Sequence, residues 1–138
     1  MKRLVSMAFA AVLPFLGVAS AADAAIEQRT AVLIDLAVRD LVANGSEPRD
    51  FRDVRAGTFI SRDKSEKLLL CGDVEIVPAG QEAVWAAFAV IETDPYELLL
   101  GGNATGTCSG DHVTWLAVDD LAPVFDERLK EVGTTKAE

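Results

Sequence analysis

The period of apolar residues changes along the chain. Between Ala25 and Asn44, Ile26, Thr30, Leu33, Ala37 and Leu41 recur at three- and four-residue steps, and Ile34 and Val38 widen the stripe. That spacing predicts an amphipathic helix over residues 25–44, with Arg29, Asp35, Arg39 and Asp40 off the stripe. Asn44-Gly45 supplies a stop, and Pro48 opposes continuation. The period then drops to two. Val54, Ala56, Thr58 and Ile60 share one parity, which predicts a half-buried strand. Phe51 anchors its start, and Arg52, Asp53 and Arg55 face solvent or one another. The polar run Ser61 to Glu66 reads as a hairpin tip.

A second strand spans Lys67 to Val77. Leu68, Leu70, Val74 and Ile76 face one way, and Cys71, Asp73 and Glu75 the other. Gly72 between them marks a bulge or a close backbone approach. Pro78 to Gln81 turns the chain. Glu82 to Thr93 is apolar on both parities, so it predicts a central strand covered on both faces. Its alanines also suit a helix, but Phe88, Val90, Ile91 and Thr93 favour the strand. Asp94-Pro95 is a turn before a fourth strand, Tyr96 to Leu100. Gly101 to Gly106 reads as a loop or bulged edge, and Ser109 to His112 as a turn. Val113 to Val118 predicts a fifth strand. Asp119 or Asp120 caps a last helix whose stripe is Leu121, Phe125, Arg128 or Leu129, and Val132, ended by Gly133. The expectation is an α+β domain: an antiparallel sheet of four or five strands flanked by an N-terminal and a C-terminal helix.

The first residues add a compartment. Met1-Lys2-Arg3 precedes an apolar run from Met7 to Val18, followed by Ala19-Ser20-Ala21. This is the pattern of a secretory signal peptide, and twelve apolar positions fall short of the about 20 that span a bilayer. The expected organisation is a signal peptide over residues 1–21, with cleavage after Ala21 or Ala24. A single domain then covers residues 22–138, periplasmic or secreted, without stable membrane insertion once the signal is removed.

Export bears on Cys71 and Cys108, the only two cysteines in the chain. In an oxidising compartment such a pair is bridged. A bridge from residue 71 to residue 108 closes a loop that the chain-entropy model values at roughly 3–4 kcal/mol. A redox role is disfavoured by the absence of Cys-x-x-Cys spacing.

Charge narrows the partners. The chain carries 13 Lys and Arg against 22 Asp and Glu. Without Lys2 and Arg3, 11 basic residues face 22 acidic ones, a net charge of −11. Nucleic acid is excluded for want of a basic face. The expected partner, if charge steers it, is a basic envelope or secreted protein.

Catalytic candidates are thin. Ser109, Asp111 and His112 lie within four residues, too close in a turn to converge as a triad. One histidine and two bridged cysteines leave too few ligands for structural zinc. Gly101 to Gly106 has the glycine spacing of a phosphate loop, but Thr107 stands where lysine is needed. Asp73 and Glu75 share a strand face and are the nearest candidates for paired-carboxylate chemistry. No cofactor or metal is expected. Trp85 and Trp115, with Tyr96 third, are the best binding candidates, although core packing is the preferred reading of both tryptophans.

Phe51-Arg52-Asp53-Val54 followed by Cys71-Gly72-Asp73-Val74 resembles a group of small exported bacterial domains. Those have a Phe-Arg-x-Val strand, a Cys-Gly-x-Val strand, an aromatic-containing strand and a later cysteine. Trp85 to Ile91 and Cys108 would be the last two here. Where the group continues with Asn- and Gly-rich aromatic sequence, this chain has Glu75-Ile76-Val77-Pro78. The resemblance implies no residue roles. Together these features predict a non-enzymatic binding or interaction module, with a carboxylate-dependent hydrolase acting on an envelope component as the alternative.

Overall fold

The computed structural model describes residues 21–136. The segment read as a signal peptide, up to residue 20, lies outside the described residues. The elements run α1 (Ala21–Ala43), β1 (Asp50–Ile60), β2 (Glu66–Ile76), β3 (Val84–Ile91), β4 (Glu97–Leu100), α2 (Gly102–Cys108), β5 (Thr114–Trp115) and α3 (Ala122–Lys136). The strands form one antiparallel sheet in the order β4-β3-β2-β1-β5.

The main core lies between the sheet and the pair α1 and α3. The predicted α1 stripe supplies Leu33, Ile34, Ala37, Val38 and Leu41, and α3 supplies Ala122, Phe125 and Val132. From the sheet come Phe51, Val54, Leu68, Leu70, Val74, Phe88 and Val90. Phe51, Phe88 and Phe125 pack with ring centroids 4.8–5.7 Å apart. Charged residues off the stripe tie the layers. Arg29 on α1 donates to Glu92 at 2.5 and 2.8 Å, and Glu92 also accepts the Leu68 N–H. Arg128 on α3 pairs with Asp35 on α1. Tyr96 donates its hydroxyl to Asp40 at 2.7 Å.

A second, smaller cluster fills the opposite face: Leu69, Cys71, Ala89, Ile91 and Ala104. It is covered by α2, where the sequence predicted a loop. Glycine, asparagine and threonine are poor helix formers, so tertiary contact makes this helix. Ala104 is fully buried against the sheet, and Cys108 is bonded to Cys71. The disulfide thus exists as expected and pins α2 onto β2, with the two Cα atoms 6.2 Å apart.

Other expectations shift in detail. The bulge lies in β1, not at Gly72: Asp53 and Val54 together oppose Gly72. Asp53 takes φ +53°, and a Cβ on Gly72 would sit 2.7 Å from Val54 Cγ2 and 3.0 Å from its Cα. Gly72 is therefore the close approach that lets the bulge seat. Ile60 is 65% exposed rather than half-buried, because β1 runs past the core toward the hairpin tip. In β3 only Phe88 to Ile91 are covered on both faces. Val84 and Trp85 are exposed, since β4 reaches no further than Phe88. β5 shrinks to two residues, and α3 runs through Gly133 to Lys136.

Candidate functional site

The sheet face beneath α2 is only half covered. α2 has seven residues, about 10 Å of helix. It shields Leu69, Cys71, Ala89 and Ile91 and leaves the other end of the face accessible. There the side chains of Arg52, Asp73, Glu75, Trp85 and Ala87 lie side by side across β1, β2 and β3. Where covered and open halves meet is a groove of about 430 Å³, floored by Cys71, Gly72 and Ala87 and walled by Arg55, Thr105 and Cys108.

The bulge populates this face. In a regular strand, residues three apart point to opposite sides. The extra residue at Asp53–Val54 restores the phase. Arg52, opposite Asp73, and Arg55, opposite Cys71, therefore project from the same side. By the same shift Phe51 and Val54 both enter the main core. One backbone irregularity thus seals the core and sets two guanidinium groups on the open face.

Each of these arginines lies over a tryptophan. The Arg52 guanidinium is 4.1 Å from the Trp85 ring centroid, and Nε donates to Asp73 Oδ2 at 3.2 Å. Arg55 is 3.6 Å from the Trp115 ring. Such stacks are worth about 0.5–1 kcal/mol at exposed sites. The half-exposed Arg52–Asp73 pair adds little more. The exposed Trp85 ring is held by contacts that a ligand could replace at small cost, whereas Trp115 also packs against the smaller core cluster.

The other sequence candidates fall elsewhere. Tyr96 is a tie between α1 and the β3–β4 turn, its hydroxyl pushed up to about 12 by burial and by Asp40. Ser109 Oγ donates to the Gly106 carbonyl, and exposed His112 sets its ring 6.0 Å from that of Phe59. These residues form no triad. Asp120 accepts the N–H groups of Ala122 and Val54, which hold its carboxyl below the usual range. It serves the start of α3 and also the edge of β1. Asp73 is engaged by Arg52, and Glu75 stands beside Trp85 on the open face.

A carboxylate couple escaped the sequence reading. Asp50 and Asp126 both accept the Phe51 N–H, at 2.9 and 3.1 Å. Burial raises the Asp126 carboxyl, and the neighbouring Asp50 raises it further. The two residues are 76 positions apart in sequence, so only the docking of α3 on β1 brings them together. Neither lines the groove beside the disulfide.

Among the described residues no helix is long and apolar enough to cross a membrane. Among them, too, no group of three or more histidine, cysteine or acidic side chains gathers as a metal site. Comparison with known family models, curated proteins and solved structures finds no match to this chain.

Proposed function

We propose that this chain is an exported acidic interaction module, periplasmic or secreted, that docks a basic envelope or secreted protein on its half-open sheet face. The observation that carries the reading is the accessible row Arg52, Asp73 and Trp85 beside the disulfide-floored groove. Interfaces favour aromatic and arginine anchors. Here both are already positioned, because the bulge and the disulfide hold the backbone beneath them. The signal-like start and the disulfide support an oxidising compartment. The excess of acid supports a basic partner whose encounter is accelerated at low salt.

The alternative, a carboxylate-dependent hydrolase, draws its support from the Asp50–Asp126 couple, one member of which is held above its usual range. That couple is committed to the Phe51 N–H, and this favours a structural part for it.

Site-specific photo-crosslinking in the native envelope tests the reading. A crosslinker at Glu75 or Ala87 is compared with one at Val124 on the outer side of α3. The expected result is one identified basic partner captured from the sheet-face positions alone, with yield falling as salt rises and falling again in Arg52→Ala/Trp85→Ala. Equal capture from Val124, or none from either sheet-face position, refutes it.

A further inference from the structure

Resting on the reading of the chain as an interaction module, we infer that the unpaired end of β3 accepts an extended, cationic segment of another protein as an added β-strand. β4 pairs with β3 only from Phe88 to Ile91. One further bond, from the Gly101 N–H to the Ala87 carbonyl, closes the ladder. At Gly101, φ +77°, the chain leaves the sheet for α2. From Ala87 back to Val84, β3 has β2 on one side and, among the described residues, no strand on the other.

The backbone direction follows from the ladder. The Ala87 carbonyl points outward to Gly101. In an extended strand direction repeats every second residue, so Trp85 turns its N–H and C=O to the same open side. Its cross-strand neighbour agrees: the Glu75 carbonyl is given to the Arg49 N–H, away from β3. Trp85 therefore offers one donor and one acceptor to an incoming chain, with its own exposed ring on one face and exposed Val84 on the other.

The opposite margin of the sheet shows the contrast. On β1 the Phe51 and Val54 N–H groups are taken by Asp126 and Asp120. The Val54 and Ala56 carbonyls are taken by the Leu121 and Leu116 N–H groups. Sheet edges are ordinarily blunted in this way, or by lysine, proline or cover. Among the described residues the end of β3 has no such guard: Val84 to Ile91 contains neither charge nor proline.

Charge selects the occupant. Glu82 precedes the open end of β3 in sequence, Glu75 lies across Trp85 on β2, one strand in from the edge, and Asp73 beyond it is paired with Arg52. Arg52 is already held by Asp73 and Trp85. The chain as a whole carries −9. A second copy would bring up a molecule of the same sign, whereas a lysine or arginine on the incoming strand would lie near Glu82 and could reach past the Trp85 ring toward Glu75. Four residues of edge span about 13 Å, and a Cβ at Gly102 would meet nothing within 4 Å. The site is short and open-ended.

The test uses the oxidised protein at low salt with an eight-residue peptide of alternating lysine and valine. Controls are the same peptide N-methylated at every second residue and a glutamate–valine counterpart. The expected result is binding that slows exchange of the Trp85 amide at least tenfold, with the N-methylated and glutamate peptides at least tenfold weaker. Trp85→Pro deletes the outward N–H, and Val84→Lys keeps the backbone and opposes the peptide's charge; each is expected to weaken binding at least tenfold. Val84→Lys decides the matter if the proline variant does not fold. Equal binding of the N-methylated peptide, equal binding of the glutamate peptide, or Trp85 protection arising from self-association overturns the inference. If crosslinks from Glu75 or Ala87 capture the partner while the Trp85 amide stays unprotected in that complex, the edge fails and the module reading stands. Absence of any captured partner fails the module reading itself.

Discussion

Replacing both Cys71 and Cys108 by alanine should destabilise the protein by about 4 kcal/mol. The two cysteines are 37 positions apart, and the chain-entropy relation for a closed loop of that size gives about 3.8 kcal/mol at 25 °C. The loss would be a large share of the roughly 5–15 kcal/mol that stabilises an ordinary domain. It should also be spatially uneven. Within α2, Gly102 and Gly106 each cost about 1 kcal/mol relative to alanine, and Asn103, Thr105 and Thr107 roughly 0.6 each. A helix this short does not persist alone. Without the bond, Ala104 is the one fully buried side chain of α2 left to hold it to the sheet. Its undocking would expose Leu69, Ala89 and Ile91. In urea, with a slope of about 1.5 kcal/mol per molar, the midpoint should fall by about 2–3 M. Hydrogen exchange should show the Thr105 and Ser109 amides, bonded to the Gly101 and Thr105 carbonyls, losing protection before those of β2. A loss below about 1 kcal/mol with α2 amides still protected would refute the argument that the bond, rather than local propensity, makes this helix.

Gly72→Ala should cost about 1–3 kcal/mol, since its Cβ meets Val54 at 2.7 and 3.0 Å and Phe88 at 3.1 Å; an unchanged denaturation midpoint would contradict the close packing at the bulge. Tyr96 is the only tyrosine, so its absorbance titration should read a native pKa of about 12 directly, against the usual value near 10 in denaturant. Tyr96→Phe should lose about 1.5 kcal/mol or more, because the hydroxyl donates to a carboxylate; a native titration near 10 would deny that bond. Asp126 is held above its usual range, so its contribution is present at acid pH and lost as pH rises through the native pKa. Asp126→Asn should therefore be more stable than the parent at pH 7, with the difference closing in acid, as thermal melts across pH would show. Glu92 is held low by Arg29 and works in the opposite sense. Its contribution is present above the unfolded pKa and lost as pH falls through the native one. Glu92→Gln should be less stable than the parent at pH 7 and converge with it in acid.

Much of the candidate face was visible as residues and invisible as a site. Trp85 and Trp115 stood out as binding candidates, and Arg52 and Arg55 as exposed strand residues. Their gathering on one side depends on the extra residue at Asp53–Val54. Alternation would have put the arginines on opposite faces, and the glycine that hinted at an irregularity lay on the partner strand. The Asp50–Asp126 couple and the capping of the β1 edge by Asp120 join residues 66 or more positions apart. No local pattern encodes such meetings.

What the sequence determined by itself was the kind and order of the main elements, the apolar side of α1 and α3, and the pairing of the only two cysteines. Burial acts residue by residue, so it leaves a period that can be read without knowing the neighbour. The tertiary structure alone decided which element covers each face. It made a helix of a glycine-rich stretch because Ala104 and Cys108 had a sheet to dock on. It left Trp85 open because β4 ends at Leu100, and among the described residues it capped the β1 margin while leaving the end of β3 without a paired strand. Those outcomes depend on contacts between distant segments, whose free energy is set by what meets what in space and is not written in the order of residues along any one element.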